Sequence, residues 1–235
     1  MEEASSLDAR AMRAGAHSRL YLFAGLTVAA LAFAGFSRSY YLRAFFSARY
    51  LTPLVYVHGA MTSAWILLFL TQGILIRRVR LDLHRRIGIA GGALAAAIVV
   101  IGSATVARAI ERRFPGVSPL RFMRIFVEFD GLSLWLFGAL VCAAIIWRGR
   151  PDVHKRLMLA ATVALLPPAV GRISEYVLPG SDANLLVAAV TTCAAMLLFS
   201  ALDTLRHGRV HPAMAYGSAS VIATNALTQL AQVGD

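Results

Sequence analysis

Long, uninterrupted apolar runs dominate this chain. Each run extends for roughly 17 to 25 residues, the length that an α-helix needs to cross the ~30 Å hydrocarbon core of a bilayer. Strands of a membrane barrel are only about 10 residues long and alternate in polarity, which these runs do not. Because lipid tolerates only helices and closed barrels, the runs predict an all-α polytopic membrane helix bundle. The composition agrees, with 58% hydrophobic and 15% charged residues.

The apolar runs predict about seven transmembrane helices. Residues 1–18 are predicted to form a polar cytoplasmic tail, and residues 19–235 a single transmembrane domain. Pro167 and Pro168 predict a kink in the fifth span. The seventh span contains serine, threonine, asparagine and glutamine, so it is either a polar-faced span or a surface helix. The predicted spans are 20–36, 53–76, 86–110, 123–147, 156–177, 184–204 and 212–230.

Basic residues predict the orientation and the partners. The formal net charge is +11, and 14 of the 23 lysines and arginines lie in the N-terminal segment or in and beside the loops 77–85, 148–155 and 205–211. Since positively charged loops stay in the cytoplasm, we predict a cytoplasmic N-terminus. The Ala- and Arg-rich composition is typical of a bacterium of high genomic GC content, so we predict location in its inner membrane. Arginines beside apolar runs bind lipid headgroups. The charge therefore predicts the lipid bilayer as the partner and excludes nucleic acid.

A two-helix unit recurs along the chain. Its first copy begins at His58 and its second at Asp130, and each continues through a glycine, a tryptophan and a basic loop to a histidine. A third, weaker copy covers the basic segment before the last span. We therefore predict one helix followed by three two-helix repeats. The histidines at equivalent helix starts are His84, His154 and His211.

Ionisable residues form a belt near the periplasmic ends of several predicted spans. His58, Asp130 and Glu175 belong to this belt. Such groups are costly in hydrocarbon and usually face the bundle interior. One interpretation is that they are neutralised by ion pairs within single helices, such as Arg172 with Glu175, or by a pair between helices, Asp130 with an arginine. The other is a polar pocket lined by these three side chains, which binds a proton, a polar substrate or a metal, because one histidine and two carboxylates suit zinc or non-haem iron.

One face of the second predicted span is expected to point inward. His58, Thr62, Trp65, Phe69 and Gln72 recur along it at helical spacing. A stripe of this kind is typical of a packed core. A histidine on such a stripe can also ligate haem iron, so His58 is a candidate cofactor ligand.

The histidines at the basic helix starts have two interpretations. His84 and His154 are surrounded by basic residues, which anchor a helix at the membrane interface. Alternatively, they converge with His211 on one face and hold a haem or bind anionic headgroups, because arginine neighbours suit haem propionates and lipid phosphates. The spans that begin near His84 and His154 run parallel, so one haem fits between these two side chains.

Two family resemblances follow from these motifs. The H-G-x-M-x3-W segment from His58 to Trp65 is similar to a helix of the ascorbate-reducible transmembrane cytochrome b family. That family pairs the histidine of this helix with one on a helix two later, so the resemblance implies haem b and electron transport. Here Asp130 stands at the later position, where a carboxylate is not the usual axial ligand of a b-type haem.

The second resemblance covers more of the chain. An H-G-x5-W helix, a basic loop and the H-R-R-I-G segment from His84 to Gly88 resemble a family of uncharacterised predicted bacterial multi-pass membrane proteins. This resemblance extends over residues 54–220 and implies no activity.

Three functions stay open at this level. The first is a haem-b electron carrier that uses His84, His154 and His58. The second is a small binding or transport protein that uses the polar pocket at His58, Asp130 and Glu175. The third is an accessory subunit that packs its small residues against a larger membrane complex or in a homo-oligomer. No catalytic residue follows from any of them.

Overall fold

The protein is a helical bundle. The computed structural model describes residues 2–46, 50–116, 118–128, 131–181 and 183–233. Within these ranges the chain forms nine α-helices and no strand. A π-helical stretch, Ser37–Tyr41, and a 3-10 turn, Arg43–Phe45, follow the first helix. The α-helices are α1 Glu2–Phe36, α2 Pro53–Arg77, α3 Leu81–Arg113, α4 Pro119–Glu128, α5 Gly131–Ile146, α6 Pro151–Ala164, α7 Pro167–Val177, α8 Asn184–His207 and α9 Pro212–Val233.

Several of these helices are built to cross a membrane. In the described part of the chain five segments are long and apolar enough, namely Arg19–Tyr41, Pro53–Arg77, Leu81–Arg113, Pro151–Val177 and Asn184–His207. The shorter helix α5 is also apolar. The prediction of an all-helical, multi-pass membrane protein is therefore confirmed. Polar residues interrupt α9, so the count of seven spans stays a prediction.

The prolines of the fifth predicted span interrupt it, as expected. Helix α6 ends at Ala164 and α7 begins at Pro167. Between them the amides of Leu165 and Leu166 donate to carbonyls only three residues earlier, at 3.3 and 3.0 Å. Proline has no N–H and its ring clashes with the preceding turn, so a regular helix cannot continue through this point. The fourth predicted span corresponds to α4 and α5, and Phe129 and Asp130 between them lie outside the described residues.

The bent segment α6–α7 lies at the centre of the bundle. Of its most apolar stretch 67% is buried, compared with 17% to 33% for the other four candidate spans. Trp65 of α2 packs edge-to-face on Phe137 of α5, with ring centroids 4.9 Å apart. Its Nε1 donates to Thr162 Oγ1 of α6 at 3.3 Å. The predicted inward face of the second span is therefore confirmed at its midpoint.

Six helix ends meet on one side of the bundle, those of α2, α3, α5, α6, α8 and α9. We call this side the basic end and define it by the loops 78–80, 147–150 and 208–211, which carry arginines. There His84 of α3 faces His154 of α6. Tyr21 of α1 and Arg156 of α6 both bind Asp203 of α8. Gly208 ends α8 in the left-handed conformation, at φ 72°, which glycine adopts without strain.

Two of the three predicted two-helix units form neighbouring helix pairs joined at the basic end. These pairs are α2 with α3 and α5 with α6. The internal repeat itself stays a prediction, as does the assignment of the basic end to the cytoplasm.

Candidate functional site at the basic end

The structure brings His84 and His154 together. His84 lies in the first turn of α3 and His154 in the first turn of α6. Their ring centroids are 6.4 Å apart and their ring planes are nearly perpendicular, at 87°. Two residues that are far apart in the sequence thus form a facing imidazole pair.

The protonation of His154 follows from its hydrogen bond. Its Nδ1 lies 2.8 Å from the carbonyl oxygen of Ala144, at the end of α5. A carbonyl oxygen can only accept, so Nδ1 carries the proton and donates. In the neutral ring Nε2 then keeps its lone pair. Ligating histidines typically have this arrangement, with one nitrogen tied to a carbonyl and the other free for the metal.

His84 lies beside further polar atoms that have no partner. Its Nδ1 is buried without a hydrogen-bond partner in the described part of the chain, and so are both amide atoms of Gln72 in α2. Gly88 lies one turn beyond His84 on the same face of α3. A Cβ at Gly88 would meet only Gln72 Nε2, at 3.9 Å, which places Gln72 next to this face. Buried orphan groups cost about 1–3 kcal/mol each, so they mark a position where a polar partner is expected.

A buried ion pair fixes the helix that carries His154. Arg156 Nε donates to Asp203 Oδ2 at 2.7 Å, and these side chains are 1% and 0% exposed. Tyr21 Oη donates to the other carboxylate oxygen at 3.1 Å. Helices α1, α6 and α8 are thereby joined two residues after His154.

Sequence reasoning missed this ion pair. It placed Arg156 among the basic residues at the start of a predicted span and gave Asp203 no role. The available signal was a carboxylate inside an apolar run, because such a group requires a partner in hydrocarbon. The partner itself lies 47 residues away and no spacing rule identifies it.

A second layer of contacts surrounds the pair. Arg156 also donates to the carbonyl oxygen of Asp152 at 2.8 Å. Lys155 Nζ lies 2.6 Å from the Asp152 carboxylate. On α8, His207 Nδ1 donates to the carbonyl oxygen of Asp203 at 2.7 Å. The first two contacts tie side chains to the first turn of α6, which also carries His154, and the third lies within α8.

His211 does not join the facing pair. It lies directly before α9, and its Nδ1 accepts from the backbone N–H of Ala213 at 3.1 Å. It lines a cleft whose lining residues do not include His84 or His154. Burial lowers the pKa of His211, and the Arg156 guanidinium lowers it further. The predicted convergence of three histidines therefore reduces to two that face each other.

His58 lies far from the facing pair. Its Cε1 would be 2.8 Å from a Cβ at Gly102, so the absent side chain of this glycine makes room for the ring. Gly102 lies about five helical turns beyond His84, roughly 27 Å along α3. His58 therefore cannot share one cofactor with His84 and His154. Its Nδ1 is buried and unpartnered within the described residues.

Of the other two residues of the predicted periplasmic pocket, the structure describes Glu175. The Glu175 carboxylate accepts from Asn184 Nδ2 and, at 3.0 Å, from the backbone N–H of Gly180. It thereby closes the turn between α7 and α8. Asp130 lies outside the described residues. Among the residues that the structure does describe, no three His, Cys, Asp or Glu side chains are placed to hold a metal. The metal set of His58, Asp130 and Glu175 stays a prediction.

Comparison with known proteins identifies no family. No family profile, curated protein or solved structure matches this chain. The two resemblances therefore stay expectations, and support for a function comes from the side chains at the basic end.

Proposed function

We propose that this protein is a membrane electron carrier that binds one haem b between His84 and His154. The observation that carries the proposal is the 6.4 Å separation of the two ring centroids. Metal–imidazole bonds are about 2.0–2.1 Å long, so two imidazoles on opposite sides of one iron hold their centroids roughly 6 Å apart.

The surroundings of the pair support a haem. The Ala144 carbonyl orients His154 and leaves Nε2 free to ligate. Beside His84, the missing side chain of Gly88 leaves space that a Cβ would partly fill. Arg85 and Arg86 follow His84, and guanidinium groups suit the two propionates of a haem. The unpartnered amide of Gln72 supplies a further hydrogen-bond donor or acceptor.

When bound, haem supplies a one-electron Fe(III)/Fe(II) couple, and its axial ligands and surroundings set the potential. The chain contributes position and electrostatics. The Ala144 carbonyl fixes the tautomer and the orientation of the His154 ring. The Arg156–Asp203 pair holds α6 against α8, so that His154 keeps its place. The apolar walls of the bundle exclude water from the buried nitrogens.

The alternative functions have less support from the described contacts. A binding or transport pocket at the opposite end would need Glu175, whose carboxylate already closes a turn. An accessory subunit is compatible with the lipid-exposed apolar faces, but those faces are equally explained by the bilayer.

The test is a visible absorption spectrum of protein purified in mild detergent from haem-replete cells. We expect a Soret band and a sharp α band after reduction with dithionite. His84→Ala and His154→Ala should each remove most of the bound haem. His58→Ala and His207→Ala are matched controls that should retain it, because neither residue faces the pair. Circular dichroism should show that all four variants keep their helix content.

Three outcomes would overturn the proposal. The first is a flat spectrum from the wild-type protein. The second is haem that survives both His84→Ala and His154→Ala. The third is haem lost only in His58→Ala, which would assign the ligand to the opposite end of the bundle.

A further inference from the structure

A cleft opens at the basic end, away from the facing histidines. It lies between the loop that joins α5 to α6 and the start of α9, with a volume of about 810 Å³. Trp147, Arg150 and Asp152 line one wall, and His211 and Tyr216 line the other.

The cleft is lined by one arginine, Arg150, and one carboxylate, Asp152. Arg150 lies over the Trp147 ring, with its guanidinium carbon 4.7 Å from the ring centroid. No carboxylate of the described residues pairs with it. Asp152, an acidic lining residue, is already bound by Lys155 at 2.6 Å and by Arg156 at 3.5 Å. Arg150 is therefore left free to bind an external anion.

His211 adds a directed donor to the cleft. Because its Nδ1 accepts from the Ala213 backbone N–H, the proton of the neutral ring lies on Nε2. Helices α6 and α9 also begin at the cleft, at Pro151 and Pro212, and helix starts carry a partial positive charge. These helix starts reinforce the site that Arg150 and His211 build.

The position of the cleft indicates which anion it takes. Trp147 and Tyr216 are 44% and 73% exposed, and aromatic rings of this kind lie at the headgroup level of a bilayer. Ile146, which ends α5 directly before Trp147, is 72% exposed and extends the apolar surface next to the cleft. Leu157 lines the cleft as well. A molecule that carries a phosphate on apolar chains matches both the polar lining at Arg150 and His211 and the apolar surface at Ile146 and Leu157.

We propose that the cleft formed by Trp147, Arg150, His211 and Tyr216 binds the phosphate headgroup of an anionic phospholipid from the surrounding bilayer. Arg150 and His211 Nε2 hold the phosphate oxygens, and the acyl chains lie along Ile146 and Leu157. This site is independent of haem, because none of the side chains that build it belongs to the facing histidine pair.

The test is native mass spectrometry of the full-length, delipidated protein in detergent, titrated with phosphatidylglycerol or phosphatidylcholine. We expect phosphatidylglycerol to be retained at lower concentration than phosphatidylcholine. Arg150→Gln should weaken phosphatidylglycerol binding about 5-fold, since one cation near a lipid phosphate contributes about that factor. Arg78→Gln, which removes the same charge from another loop of the basic end, should change it less than about 2-fold. Tyr216→Ala, which leaves every charge in place, should also weaken binding.

Three results would overturn the proposal. Equal retention of both lipids would show that the headgroup charge is not recognised. Equal losses in Arg150→Gln and Arg78→Gln would show that only the overall charge of the basic end matters. Displacement of phosphatidylglycerol by an equal concentration of inorganic phosphate would identify a site for small anions rather than for a lipid.

Discussion

Arg156 of α6 and Asp203 of α8 form an ion pair of 2.7 Å from which solvent is almost completely excluded. The attraction between two buried charges offsets the large cost of removing them from water only while both are present. Tyr21 adds a hydrogen bond from α1 to the same carboxylate. The pair therefore acts as a unit that sets the mutual position of three helices at the basic end.

Removing one member of this pair should be severely destabilising. Asp203→Asn removes the only buried carboxylate that the described residues place against the Arg156 guanidinium and leaves it the exposed Asp152 at 3.5 Å, and we expect a loss of about 3–5 kcal/mol in the free energy of unfolding. The measurement is loss of helix content during titration with a denaturing detergent. Asp152→Asn is the control, because that carboxylate is 67% exposed and should contribute only about 0–1 kcal/mol. Comparable losses in both variants would contradict the central role of Asp203.

The amide of Gln72 should not contribute to the stability of the cofactor-free protein. Both of its amide atoms are buried without partners in the described residues, so Gln72→Met removes a penalty of about 1–3 kcal/mol while keeping the size of the side chain. We expect cofactor-free protein to become more stable by about 1 kcal/mol in a thermal or detergent unfolding assay. Gln229→Met, which loses a donor to the Leu185 carbonyl, should not be stabilised. A destabilised Gln72→Met would mean that the amide already has a partner.

A close contact between α1 and α7 depends on Gly35. A Cβ at this position would collide with the backbone carbonyl of Ala169, and Tyr176 Oη donates to the Gly35 carbonyl at 2.9 Å. Backbone cannot move aside as a flexible side chain does, so Gly35→Ala should cost about 1–3 kcal/mol. Gly149→Ala is the control, since its Cβ would meet nothing within 4 Å. Equal stability of the two variants, measured by thermal unfolding, would contradict this packing.

His211 predicts a dependence of stability on pH. Burial and Arg156 lower its pKa in the folded protein below the ordinary value of about 6.5. On acidification the unfolded chain therefore takes up the proton first, and the contribution of His211 to stability is lost as the pH falls below about 6.5. Protonation also removes the lone pair that accepts from Ala213. The charged groups that act on this ring are Asp152 and Asp203, which favour the proton, and Lys155 and Arg156, which oppose it.

The measurement is the midpoint of thermal unfolding between pH 7 and pH 5 for wild type and His211→Gln. We expect the wild type to lose more stability over this interval, because glutamine does not titrate. Parallel curves for the two proteins would show that His211 does not contribute to the pH dependence.

The start of α3 differs from the start that the sequence predicts for the third span. The third span was predicted to begin at residue 86, but α3 begins at Leu81. Arginine side chains at a membrane interface lay their aliphatic stems along the helix and keep their charge in water, so a basic segment continues the helix instead of ending it. This extension places His84 inside a helix, where its position relative to α6 is rigid.

The apolar runs alone determined that the chain forms helices that span a membrane, because hydrocarbon leaves the backbone no other solution for segments of this length and composition. The proline pair likewise determined the break between α6 and α7. These are local properties, and each is contained in a short stretch of sequence.

Only the tertiary structure decided which side chains meet. The sequence named His84, His154, His211 and His58 as candidates and offered one haem between His84 and His154 as an interpretation. Packing brought these two rings face to face and placed His58 about half the length of α3 away from them. It also paired Arg156 with Asp203 across 47 residues. Such contacts depend on how helices rotate and tilt against one another, and this follows from the packing of the whole bundle and not from the pattern of any one helix.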